Sequence, residues 1–301
     1  MTNRRITTLA LALCWLLVVS ATTSCHRATT KAADSTYEYT DDYDRHITIP
    51  AHPTRVVSVS PAITEIIFDL DAEHLLVGRT DYCSYPAAAK DIESIGGISD
   101  LNIEKVISLH PDLVICGSMV QPKSADHLEK MGIPMSAVTE KHSFEGLYEN
   151  IAKIGQLIGY KKQADSLIAR LKTDVQTRHH TSDSISHNAP TVYYVVGFGK
   201  GGNFTAGGNT FINDIIRMAG GQNMAENISG WSISLEALMD ADPDYVIIRR
   251  EDSAAFCRMP PYNRLTAVRK GRVIGMESGM IDLQVPRNIE AIQMLRRRIG
   301  Q

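Results

Sequence analysis

Apolar and polar positions alternate along this chain in two rhythms, and the places where one gives way to the other outline its elements. Arg55-Val56-Val57-Ser58-Val59-Ser60 is a short apolar run of the kind that forms a buried strand. Pro61 follows at a first helical position, and Ile63, Ile66, Ile67 and Leu70 then recur at helical spacing. A second strand, Leu75 to Gly78, leads into the irregular aromatic stretch Arg79-Thr80-Asp81-Tyr82-Cys83-Ser84-Tyr85-Pro86. A helix from Ser124 to Met131 and a strand from Pro134 to Val138 complete the first half. Strands alternating with helices at this spacing predict a mostly parallel sheet.

One stretch occurs twice. Ile103-Glu104-Lys105-Val106-Ile107-Ser108-Leu109-His110-Pro111-Asp112-Leu113-Val114-Ile115 returns in the same register as Leu235-Glu236-Ala237-Leu238-Met239-Asp240-Ala241-Asp242-Pro243-Asp244-Tyr245-Val246-Ile247. Each copy reads as a short helix with a glutamate early in it, a Pro-Asp corner and a buried strand. Proline cannot continue a helix and pushes its predecessor out of the helical region, so the corner is sharp. Two copies predict two lobes built on one plan.

Between them lies the longest periodic segment. Leu147, Ile151, Ile154, Ile158, Ala164, Leu167, Leu171 and Val175 recur at steps of three and four or their multiples, with Ser143 as a candidate N-cap. Unbroken from Phe144 to Arg178, this helix would be about 50 Å long at roughly 1.5 Å per residue. Gly155 and Gly159 are the positions where it could pack closely or bend. The expected layout is an α/β fold: an N-terminal lobe over 55–142, a bridging helix over 143–178, a polar linker over 179–190 and a C-terminal lobe over 191–301. Residues 26–54 form a tether and a small hairpin carrying Asp41, Asp42 and Asp44. The second lobe opens on Thr191–Val196 and closes on a helix from Val285 to Ile299.

The first 25 residues stand apart. Arg4 and Arg5 precede an apolar run from Leu9 to Ser20 that is short for a membrane span. It ends at Thr22-Thr23-Ser24-Cys25, which resembles a bacterial lipoprotein signal with Cys25 as the lipidated residue; ordinary secretion with cleavage nearby is the other reading. The chain is 44% hydrophobic and 22% charged, as globular proteins are. Its formal charge of −3 becomes −5 without Arg4 and Arg5, and no basic stripe appears, which argues against a nucleic-acid partner. Cys83, Cys116 and Cys257 lie in or beside apolar segments and read as thiols, with no zinc-site spacing.

Gly197-Phe198-Gly199-Lys200-Gly201-Gly202 satisfies G-x-G-x-x-G after a strand. A dinucleotide fingerprint needs a helix to start there, and the next helical pattern begins only near Thr210. An irregular loop at a cleft edge, with Phe204 at its tip, is the expectation. The histidines are scattered and do not converge on a metal site, and Ser60 lacks the G-x-S-x-G elbow of a hydrolase. Tyr82, Tyr85, Phe204 and Trp231 lie in irregular segments of both halves, where flat apolar side chains suit a large planar ligand. Glu104 and Glu236 occupy matched positions, one per lobe. Each could simply favour its helix dipole, and together they could meet two cationic sites on a two-fold partner.

Taken together, Arg55 to Glu65, the Val77–Cys83 loop and both copies of the repeated stretch resemble the binding proteins of ABC importers for vitamin B12, ferric siderophores or haem. The resemblance covers nearly all of residues 55 to 300. It implies two α/β lobes bridged by one long rigid helix, with a ligand held between them. It also implies a monomer with no catalytic activity and no resident cofactor, docked on a dimeric permease and its ATPase through one glutamate per lobe. Those glutamates fall on Glu104 and Glu236. Aromatic contacts to a corrinoid would fall on Tyr82, Phe204 and Trp231, with Ile98 where another aromatic would stand, and an acidic contact on Asp282. In haem-binding relatives an iron-ligating tyrosine would fall at Gly97. Arg79, Arg249 or Arg287 could meet the oxygens of a siderophore. The expectation is a periplasmic, lipid-anchored protein carrying a metal chelate, a corrinoid first and an iron chelate second. An exported chelatase or hydrolase on the same scaffold, or a sensory lipoprotein, are the readings from other classes.

Overall fold

The computed structural model of the protein describes residues 35–120, 122–176 and 189–299. The leader, Cys25 and most of the polar linker lie outside the described residues. The chain opens on an antiparallel hairpin, β1 (Thr36–Thr40) and β2 (His46–Pro50). Asp41 and Asp42 at its turn tie it to the first lobe and the bridge: Asp41 accepts from the Ala137 amide, and Asp42 pairs with Lys141 and with Lys153 of the bridging segment.

The first lobe holds four parallel strands, β3 (Val56–Val59), β4 (Leu76–Arg79), β5 (Leu113–Cys116) and β6 (Met135–Ala137), in spatial order β4-β3-β5-β6. Helices α1 (Pro61–Asp69), α2 (Ile103–Ser108) and α3 (Pro122–Lys130) connect them. The second lobe holds β7 (Thr191–Tyr194), β9 (Gln222–Asn223), β11 (Tyr245–Arg249) and β12 (Val273–Met276), in order β12-β11-β7-β9. Numbered within its own lobe, each sheet reads second-first-third-fourth. A separate two-stranded ribbon joins β8 (Asn203–Phe204) to β10 (Ser232–Ile233). Helices α6 (Phe211–Met218) and α7 (Leu235–Ala241) fall where the sequence places them, and a short α9 (Thr266–Arg269) precedes β12. Helix α8 (Arg250–Arg258), which the pattern does not announce, follows β11 directly.

The repeated stretch occupies the same place in both lobes, α2–β5 and α7–β11. Asn102 and Ser234 cap the two helices by accepting from the amides of Lys105 and Ala237. His110 and Asp242 then take positive φ, +48° and +36°, just before the proline. The following aspartates do equivalent work on the neighbouring strand. Asp112 accepts from the amides of Thr54 and Arg55 and from the Thr54 hydroxyl. Asp244 accepts from the amide and hydroxyl of Thr191. The Pro-Asp corner therefore sets the start of one parallel strand against the next.

The bridge differs from the expected single helix. The periodic segment forms two helices, α4 (Gly146–Leu157) and α5 (Lys161–Gln176). Gly159, at φ +78°, ends α4: its amide donates to Gln156 and the Tyr160 amide to Gly155, the two bonds of a Schellman cap. Gly155 lets the helices touch, because a Cβ there would lie 2.4 Å from that of Ala164. Ser143 is not a side-chain cap; α4 starts at Gly146, after Glu145. The apolar spacing continues across the break because both helices bury one face in the same core.

That core is continuous between the lobes. It joins Val56 and Ile115 of the first sheet through Leu147, Ile151 and Ile154 of α4 and Leu167 and Leu171 of α5 to Val192 and Ile247 of the second. The closing helix α10 (Asn288–Ile299) adds Ile292 and Leu295. Alternate strand residues face separate outer cores, Val57, Val59 and Val114 in one lobe and Tyr193, Val195 and Val246 in the other.

Candidate ligand-binding cleft

A cavity of about 570 Å³ opens where the two lobes meet. Its first-lobe wall is built mainly from residues that follow the carboxyl ends of parallel strands: Ser60 and Pro61 after β3, Tyr82, Ser84 and Tyr85 after β4, Gly117 to Met119 after β5 and Glu140 after β6. This is the place where open parallel sheets hold ligands. The second lobe contributes the loop after β12, with Ser278, Gly279, Asp282, Leu283 and Arg287. Ile98 and Asp100 close one side.

The floor carries a buried ion pair between lobes. Arg287 Nε donates to Glu65 Oε1 at 2.7 Å, with the residues 8% and 2% exposed. The same guanidinium sits 4.1 Å from the ring centroid of Tyr85. Burial pushes the Glu65 carboxyl up to about 7, with Arg287 pulling the other way. Beside this pair Gln284 stitches the lobes again, accepting from the Lys141 amide and donating to the carbonyls of Lys141 and Ser143. The Phe144 amide donates to Asp214.

The aromatic loop rests on a buried polar cluster. Thr64 Oγ1 lies 2.8 Å from Ser58 Oγ and 3.1 Å from Cys83 Sγ, and Thr80 Oγ1 is 3.2 Å from the same sulfur. Cys83 is thus a buried free thiol that holds the loop while Tyr82, 64% exposed, projects beside it. Cys116 is also a buried free thiol; Cys257 is only half-buried.

The structure brings some expected site residues together and separates others. Tyr82 and Asp282 line the cavity from opposite lobes, and Asp282 accepts from the Gly279 amide at 2.7 Å. Phe204 and Trp231 do not line it. Phe204 ends β8 and Trp231 directly precedes β10, 39% and 47% exposed, with Phe204 folded over Gly197 and Gly202. Nor does the glycine-rich loop line the cavity; it forms only a three-residue 3-10 turn, Gly199–Gly201, and the next α-helix starts at Phe211, so the phosphate-binding context is absent. Arg79 is not a cleft residue either: it donates to the carbonyls of Ala89, Thr80 and Lys90 and braces the turn after Pro86. Arg249 is engaged with Asp252. Glu104 and Glu236 are exposed in the first turns of α2 and α7, without an ion pair among the described residues. Sequence reasoning missed Glu65, Asp100 and Glu140. Only Glu65 left a signal, as an acid on the apolar face of α1.

Among the described residues no histidine lines the cavity, and no cluster of three His, Cys, Asp or Glu could hold a metal ion. A side chain at Gly97 would meet the carboxylate of Asp100, whose Oδ1 fills the space of a Cβ. Residues 56–279 match the periplasmic binding protein family over most of the described chain. The chain belongs to that family. It is 29% identical over 260 residues to an uncharacterized ABC transporter substrate-binding lipoprotein, YvrC, of Bacillus subtilis, covering 85% of this chain and 82% of that one. A cobalamin-binding protein of Halobacterium salinarum is 30% identical over 257 residues, 81% of this chain and 69% of that one. Among solved structures, a periplasmic heme-binding protein of Pseudomonas aeruginosa superposes with a TM-score of 0.73 at 27% identity, covering 82% of this chain and 92% of that one. The relatives are binding proteins, and this binding protein is accordingly not an enzyme. Its two lobes of parallel sheet have the architecture the sequence predicts, with the bridge built from two helices.

Proposed function

We propose that this chain is the substrate-binding protein of an ABC importer and takes a metal chelate, a corrinoid in the first place, into the interlobe cleft. The observation that carries the reading is the cavity of about 570 Å³ at the carboxyl ends of the first-lobe strands, walled by both lobes. Tyr82, Tyr85, Ile98, Met119 and Leu283 give it flat and apolar surfaces. Similarity to a cobalamin-binding protein favours the corrinoid. Gly97 stands where the resemblance puts a haem-ligating tyrosine, which sets haem behind it. Haem or a ferric siderophore is the second reading, supported by the heme-binding structural relative. Tyr82 and Asp282 are the contacts from the two lobes. Cys25 is the lipid attachment point, which places the protein on the periplasmic side of a bacterial membrane, and the YvrC relative is named a lipoprotein. Glu104 and Glu236 meet the permease dimer.

The test is a titration of the purified protein with cyanocobalamin, ferric siderophores and haemin, followed by visible absorbance after equilibrium dialysis. Saturable binding of cyanocobalamin at one per chain supports the first reading. Preference for haemin or a siderophore moves it to the second, and saturation by none of them removes both.

A further inference from the structure

We infer that the cleft selects its ligand by charge, taking neutral or cationic chelates rich in hydrogen-bond donors and excluding polyanionic ones. This rests on the reading of the cleft as the ligand site. Four carboxylates line it, Glu65, Asp100, Glu140 and Asp282, against one guanidinium, Arg287. That cation is already committed. It is bound to Glu65 at 2.7 Å, covered by the Tyr85 ring and 8% exposed, so an anionic ligand could reach it only by breaking a buried ion pair. Lys141, next to Glu140 in the chain, is engaged with Asp42.

The acids are placed to face a ligand from both sides. Glu140 follows β6 in the first lobe, Asp100 lies near Gly97, and Asp282 stands on the second-lobe loop after β12. All three are exposed. Glu140 accepts from Ser118 through Oε2, and Asp282 accepts from Gly279 through Oδ1, which leaves each with a second oxygen. Such oxygens only accept, so they suit amide and ammonium groups and repel carboxylates and catecholates. In a cleft with apolar walls their field is concentrated.

The experiment uses the full-length protein in detergent and five probes, two pairs and one further anion. Aquocobalamin and cyanocobalamin share one ring system and differ by one positive charge. A cationic ferric trihydroxamate and a trianionic ferric tris-catecholate carry opposite charges among iron chelates, with haemin as a further anion. The expected result at low salt is that the more positive member of each pair binds about three- to tenfold more tightly. The preference should shrink towards unity near 1 M salt, where the Debye length is about 3 Å. It should also vanish in Asp100→Asn/Glu140→Gln/Asp282→Asn, which keeps the size of each side chain and removes its charge. An equal or reversed charge order in the wild type, or a preference that survives the triple substitution, overturns this inference while leaving the proposed function intact. Binding of no chelate at all removes both.

Discussion

Glu65 and Arg287 are 222 positions apart in the chain and 2.7 Å apart in space, and their contact closes the floor of the cleft between the lobes. Removing one partner leaves the other charged and buried. Glu65→Ala should therefore destabilise the protein by about 3 kcal/mol or more in chemical denaturation. Glu65→Leu combined with Arg287→Met should recover most of that loss, because two apolar groups need no compensation. A single Glu65→Ala change that costs less than about 1 kcal/mol would show that the pair does not tie the lobes.

The same carboxyl sets a pH dependence. Glu65 is raised from 4.5 to about 7, and Asp69 from 3.8 to about 6, in both cases chiefly by burial. Both bind protons more tightly folded than unfolded, so their stabilisation is full below about pH 4 and declines as pH rises to about 7. Asp41 works oppositely: burial raises it, but hydrogen bonds from Arg45 and the Ala137 amide outweigh that and hold it below 3.8. Its contribution is lost only in stronger acid. Thermal unfolding of the wild type against Glu65→Gln, measured from pH 5 to 7.5, should show the variant losing about 2 kcal/mol less over that window. Parallel curves would contradict the assignment.

Gly159 is the hinge of the bridge. At φ +78° a Cβ would be strained, and it would also lie 3.1 Å from the Ala51 carbonyl oxygen and 3.0 Å from His52. Gly159→Ala should cost about 1–2 kcal/mol in urea unfolding. A neutral or stabilising effect would mean that the two helices are not held by this turn.

Docking and binding should separate. Glu104→Ala with Glu236→Ala is expected to abolish chelate uptake in cells while ligand affinity stays within about twofold, since both glutamates are exposed on α2 and α7 and neither lines the cavity. An equal fall in affinity and uptake would move these residues into the binding site.

Much of this architecture is legible in the residues because strands and helices carry distinct periods, and because the Pro-Asp corner is the same device used twice. The break at Gly159 was visible only as a glycine, since both helices bury their faces in one core and the period runs through it. The cleft was harder. Tyr82 and Asp282 fall within it, but Phe204 and Trp231 sit on and beside a ribbon that period cannot place, and Arg79 spends its donors on backbone carbonyls. Glu65 and Arg287 meet only through tertiary structure, and no spacing along the chain announces a contact between lobes.

The measurement that bears most directly on the interlobe site is a crystal structure of the protein with cyanocobalamin. The corrin ring should appear between the Tyr82 loop and the Asp282 loop, in the cavity of about 570 Å³ above the Glu65–Arg287 pair. Density for the ligand on Phe204 and Trp231 alone, with the cavity holding only solvent, would contradict it.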